Sequence, residues 1–189
     1  MSKDFSREQL RGLRFQDEDL HGADFSEGML EGVVFEGCDL SGADFGAAVL
    51  ERCALLTCRV ERARFSLATL TDCKTTGSTF LRCDWRPVTV SGGDWSYASL
   101  RAAELTGTSL AGLRLSEADL SEAVLVRCDV RGADLSHARL RGARLRGADL
   151  RGAVLDGCEV DGVDWDGVRI DLATAVLLAR ARGALVGDD

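Results

Sequence analysis

The chain has 189 residues, 46% of them hydrophobic, and a formal net charge of −8, enough for one domain with a real core. No apolar run approaches the ~18 residues of a membrane span, and the N-terminus, Met1-Ser-Lys-Asp-Phe5-Ser-Arg-Glu, lacks an apolar signal region, so a cytoplasmic location is expected. The acidic balance argues against direct binding of nucleic acid, which calls for a basic surface.

From Phe5 to Ile170 every fifth residue is large and apolar: of 34 positions, seven are Phe, three Trp, eighteen Leu, four Val and one Ile, with Thr75 the exception. The run Arg131-Gly-Ala-Asp-Leu135 to Arg151-Gly-Ala-Val-Leu155 shows the period most plainly. Five matches neither the 3.6 of a helix nor the 2 of a strand, so the chain is read as an internal repeat. From Ala23 onward the position two before each large residue is nearly always small, and all seven cysteines fall there. Free Cys behaves as a small hydrophobe. With no Cys-x-x-Cys pair, and with His21 and His137 at variable positions, no metal site is expected. Sixteen of the 21 glycines sit two after the large residue, where a turn with unusual dihedrals wants them. Each quintet therefore predicts a short straight segment and a turn, two side chains inward and three outward. Four quintets make a coil of about twenty residues, and coils stacked at roughly 4.8 Å form an all-β solenoid.

Taken in chain order, the inward small position first holds Lys3, Glu8, Leu13 and Glu18. Charges cannot line a narrow dry core, so the first coil is expected to be irregular to about residue 20, with regular coils from His21. Between Thr71 and Tyr97 lie Thr75, Ser78, the single proline, Pro87, and Gly92-Gly93. Pro87 occupies a turn, so the ladder is expected to pass it with at most a kink and no protruding loop. After Ile170 the register stops. Asp171 is placed to cap a helix through Leu172 to Arg182, ended by Gly183, and Arg180 and Arg182 suit its C-terminal dipole. That helix is apolar nearly all round, which predicts burial on more than one face. One face would plug the solenoid and the other would meet a second copy. Leu172, Val176, Leu177, Leu178, Ala181 and Leu185 are the expected homodimer contacts, with Ala184-Leu185-Val186 as a short strand pairing across the interface. Residues 1–170 are thus the solenoid and 171–189 a dimerisation segment.

Nothing suggests catalysis: there is no nucleotide-binding glycine motif, no histidine near a nucleophile, and a filled solenoid has no concave pocket. Charge placement is more informative. On two adjacent faces the residue before the large apolar one is acidic ten times, against four arginines. The other two faces are balanced. Residues 1–50 sum to −7 and 153–171 to −5, while 127–152 sum to +4. Asp156, Asp161, Asp166 and Asp171 put one acid on each face of the last coil. The expected partner surface is this ring and the acidic side: Asp24, Asp44, Asp84, Glu104, Asp119, Glu159 and Asp164.

The triplets Ala23-Asp-Phe, Ala43-Asp-Phe, Ala118-Asp-Leu, Ala133-Asp-Leu and Ala148-Asp-Leu resemble those of the pentapeptide repeat family, over about nine tenths of the chain. The resemblance implies a right-handed quadrilateral β-helix. Phe-rich early coils giving way to Leu-rich ones, the Arg86-Pro-Val-Thr-Val90 stretch and the terminal helix further resemble the MfpA and Qnr branch. That branch implies a homodimeric DNA mimic, without cofactor, that binds a type II topoisomerase, chiefly DNA gyrase, and modulates it or protects it from quinolones. Protection of a producer from a natural gyrase poison belongs to the same class. The phase-breaking loops implicated in protection by Qnr proteins are missing here, which looks more like MfpA. Eight coils give a rod near 40 Å and a dimer near 80 Å. Duplex DNA of that length carries on the order of 45 to 50 charges, against twice −8 here, so the implied mimicry is of shape with a local acidic track. The alternative is a scaffold or interaction module of the same fold.

Overall fold

A computed structural model describes residues 3–181 and 183–187. Every quintet turns one corner, and the residue two after the large apolar one makes the bend. From Arg7 to Gly167 this residue has φ between 50° and 72°, Pro87 alone excepted. Glycine takes that conformation freely, whereas each of the others pays for it. Four corners close a coil, and the residue before each large apolar one pairs in parallel with its counterpart twenty further on, from Asp4↔Asp24 to Asp149↔Arg169, except beside Pro87. The result is a quadrilateral β-solenoid of about eight coils, with an α-helix at its C-terminal end.

The longer ladders lie in the first half: β1 (Gln9–Arg11), β2 (Arg14–Gln16), β3 (Met29–Glu31), β4 (Val34–Glu36), β5 (Val49–Glu51), β6 (Ala54–Leu56), β7 (Arg59–Glu61), β8 (Thr69–Thr71), β9 (Thr79–Leu81) and β10 (Thr89–Ser91). They form three parallel sheets, β1-β3-β5-β8-β10, β2-β4-β6 and β7-β9. Corner chemistry separates the halves. Where the inward small residue is alanine the corner usually closes as a type II turn, as in Ala23 N–H to Leu20 C=O at 3.0 Å. Where it is Val33 or Cys38, Cys53, Cys58, Cys73 or Cys83, that bond is not made and the strand extends one residue past the large apolar one before the bend.

An open corner strands a buried carbonyl, and the next coil supplies its donor. Cys38 Sγ–H points to Phe15 C=O at 3.4 Å, Cys53 to Leu30 at 3.2 Å, Cys58 to Phe35 at 3.4 Å, Cys73 to Leu50 at 3.4 Å and Cys83 to Val60 at 3.2 Å. Ser78 does the same at Leu55 C=O, 2.8 Å away, while accepting the Cys58 N–H at 2.9 Å. The cysteines are therefore weak donors as well as small hydrophobes. Desolvation pushes the thiols of Cys58 and Cys128 up to about 11 and those of Cys83 and Cys158 to about 12, so they stay unreactive near neutral pH.

Inside, identical positions stack. Phe5, Phe25, Phe45, Phe65 and Trp85 form one column with successive ring centroids 4.9, 4.9, 5.0 and 4.6 Å apart and planes within 8°, the spacing of one coil. Thr75 is fully buried in the opposite column, above Phe15, Phe35 and Leu55, and its Oγ1 has no hydrogen-bond partner. A lone buried hydroxyl costs about 1–3 kcal/mol. Thr75→Val should therefore raise stability by about 1 kcal/mol or more, measured as a higher urea midpoint at unchanged slope.

Two expectations change. The first coil is regular: β1 and β2 pair with β3 and β4, and Leu10 and Phe15 are buried. Its charged residues are tolerated because that coil ends the rod, where Lys3 and Glu18 pair across the open mouth at 2.5 Å. Pro87 does interrupt the ladder. The corner N–H at its position is elsewhere a donor to the following coil, as Gly107 N–H is to Val126 C=O at 2.9 Å, and proline has none to give.

Candidate partner-binding surface

The acidic residues have a structural task first. All twelve aspartates that directly precede a large apolar residue accept the backbone N–H two residues on, at 2.8–3.2 Å. The carboxylate thereby caps the start of the corner, as Asx turns do. Glu104 and Glu159, one methylene longer, make no such bond among the described residues. The Ala-Asp-Leu triplet is thus a packing residue, a corner cap and a core residue in sequence.

Capping leaves the second oxygen and the charge at the surface. Asp4, Asp24 and Asp44 lie in register on successive coils, as do Asp19 and Asp39 on the adjoining face. Like charges opposite one another across a ladder are unfavourable. All four arginines of the acidic side answer acids of that side: Arg64 meets Asp44, Arg59 is 3.7 Å from Asp39, Arg144 is 3.8 Å from Glu104 and Arg139 is 3.9 Å from Glu159. Asp24, Asp84, Asp119 and Asp164 keep no ion pair among the described residues. Asp4 and Asp19 share that state, and the register that points to Asp24 points to them equally.

The last coil does not present a uniform ring. Arg146 binds Asp166 at 2.7 Å. Asp171 spends both oxygens inside the fold, accepting the Thr174 N–H at 2.9 Å and the Gly152 N–H at 2.7 Å, and those bonds lower its pKa. It caps α1 (Leu172–Ala181) and ties it to the solenoid. Asp156 and Asp161 remain without an ion pair among the described residues. The acidic zone near the C-terminus is therefore smaller than four carboxylates.

Of the expected dimer contacts, Leu177 packs against the core and Thr174 beside it is buried. Leu178 and Ala179 line an apolar hollow of about 220 Å³ with Trp165, Val168 and Ile170. Val176 is half-buried, whereas Leu172 is 80% exposed and Leu185 fully so. The side chain of Ala181 and residue Arg182 lie outside the described residues. One helix face thus covers the rod end, and the opposite one is left to water in the protomer.

Carboxylate hydrogen bonds set the acid response. Bonds from Arg131 lower Asp129, bonds from Ser136 lower Asp134, and Arg151 holds Asp149 down to about 2. Folded-state pKa values below the unfolded ~3.9 contribute stability above that value and lose it as pH falls through the folded ones. The urea midpoint should therefore stay level from about pH 7 to 5 and fall between about pH 4 and 2. A decline centred near pH 6 would contradict this assignment.

No group of three His, Cys, Asp or Glu side chains converges to hold a metal among the described residues. The pentapeptide repeats pattern matches in eight copies over residues 9–55, 98–136 and 133–168. The matches leave out 56–97, the stretch that holds Thr75 and Pro87. No curated protein sequence matches. Among solved structures, two trypsin-treated variants of QnrB1, a plasmid-mediated fluoroquinolone resistance protein, align with TM-scores of 0.58 and 0.53. Both are 23% identical; one alignment covers 98% of this chain and 95% of QnrB1, the other 98% of each. At that identity they show a shared fold. With eight matched copies, an unbroken five-residue register and four corners per coil, the chain belongs to the pentapeptide repeat family.

Proposed function

We propose that this protein is a DNA-mimicking inhibitor or modulator of a type II topoisomerase, DNA gyrase, acting in the cytoplasm as a C-terminal homodimer. The observation that carries the reading is the in-register acidic track on two adjoining faces of the solenoid. In the first coils acids there recur at about the coil rise of 4.8 Å, where alternation with arginine would fold as well. The shared fold with fluoroquinolone resistance proteins supports the choice of gyrase. The exposed Leu172 and Leu185 support the dimer, which would bring two acidic tracks end to end. Protection from quinolones or from a natural gyrase poison is a further arm of the same reading.

A scaffold without mimicry is the rival, favoured by the corner caps, since all twelve aspartates have a reason to exist in the fold alone. Purified gyrase titrated with the protein, with and without a quinolone, separates the two. Inhibition of supercoiling or rescue from drug at micromolar protein supports mimicry; supercoiling unchanged in both arms leaves the scaffold.

A further inference from the structure

Between the coil of residues 81–92 and the next, the solenoid comes apart on two faces. The ladder pairs Arg64↔Asp84 and Glu104↔Val124 are made, as are β8 with β10 and Ser109↔Asp129. The intervening pairs, Asp84 with Glu104 and Thr89 with Ser109, are not among the bridges. Trp85, Val90 and Gly92 N–H find no acceptor in the following coil, and Glu104 and Ser109 N–H find none in the preceding one. The other two faces stay joined, by Phe80 N–H to Ser99 C=O and Trp95 N–H to Arg114 C=O, both 2.8 Å. Pro87 is the cause. It offers no N–H to Thr106 C=O, and Leu67 N–H reaches Pro87 C=O instead of the Arg86 carbonyl. An open groove of about 490 Å³ lies there, lined by Asp84, Arg86, Pro87, Val88, Thr106, Gly107 and Thr108.

The groove is rich in acceptors. The carbonyls of Arg86, Val88 and Thr106 have lost their ladder donors, and Asp84 adds a carboxylate with no ion-pair partner. Several acceptors around one cleft match a planar group with several donors and a positive charge. We propose that this seam receives an arginine side chain of the protein that docks on the acidic side. The site rests on that side meeting a protein, as in the function proposed above. Asp84 lies on one of its two faces, so a bound guanidinium would continue the track of contacts along it.

Two measurements test the site without gyrase. Hydrogen exchange should show the Trp85, Val90 and Ser109 amides exchanging at least about tenfold faster than the Phe65, Leu70 and Asp129 amides of joined coils. Equal protection would remove the seam and the proposal with it. N-acetylarginine amide should shift the NMR signals of these seam amides saturably in the millimolar range, and uncharged N-acetylcitrulline amide should not. Asp84→Asn should weaken arginine binding about tenfold. Pro87→Gly, which restores both the donor and the left-handed corner, should slow seam exchange and abolish binding. Arginine binding equal to citrulline, or unchanged in Asp84→Asn, overturns the proposal, whether or not Pro87→Gly folds. Gyrase inhibition that persists while arginine fails to bind would sink the seam alone; arginine binding without inhibition would sink the topoisomerase reading alone.

Discussion

Phe45→Ala is expected to lower the unfolding free energy by about 3–5 kcal/mol. Phe45 is fully buried, stacked between Phe25 at 4.9 Å and Phe65 at 5.0 Å, and edge-on to Phe35 at 6.2 Å. In a globular core, neighbours from several directions relax into such a cavity. In a solenoid each coil touches only the one before and the one after, and the stacked rings hold one another at the ladder spacing. The loss should therefore approach the upper end of that range, and it should uncouple the first two coils from the rest. A shallower denaturant transition, or an early partial one by tryptophan fluorescence, reads that uncoupling. Phe45→Leu should recover most of the loss, since eighteen positions of the register already hold leucine. A single steep transition with a loss below about 1 kcal/mol would contradict the stacked-column account.

Joint replacement of Asp24, Asp84, Asp119 and Asp164 by asparagine is expected to weaken gyrase inhibition by about fourfold to nearly a thousandfold, at nearly unchanged stability. Exposed charge pairs contribute about 0.2–1 kcal/mol each, so four lost together give that range. Asparagine keeps the side-chain carbonyl that accepts the corner N–H, so the cap survives while the charge goes. Reversal to lysine would break caps and confuse folding with binding. Asp171 is unsuitable for any such test, because both its oxygens serve the helix and the last corner. Full inhibition by the fourfold variant, with an unaltered thermal midpoint, would assign the aspartates to the fold and leave the scaffold reading. A weakened effect at high salt in the unaltered protein would agree with a charged interface.

Much of this molecule is legible one residue at a time. Phase, coil length, inward positions and the site of the terminal helix all follow from counting by fives, since a ladder with a fixed repeat repeats its environments. The place of each acid is equally visible. Its first duty is not, because the bond from Asp24 to the Ser26 N–H exists only once the corner is bent. Five of the cysteines read as small hydrophobes, Cys38, Cys53, Cys58, Cys73 and Cys83, also turn out to be donors to a carbonyl left by an open corner of the preceding coil.

Period and composition by themselves determined an elongated, filled solenoid, because a five-residue repeat can bury only its two inward side chains. Tertiary structure alone decided which acids stay unpaired, since Arg64 neutralises Asp44 from twenty residues away. It also decided what one proline means. Locally Pro87 suits a turn, but the N–H it lacks belongs to a bond with the next coil, and only stacking reveals that the bond was needed.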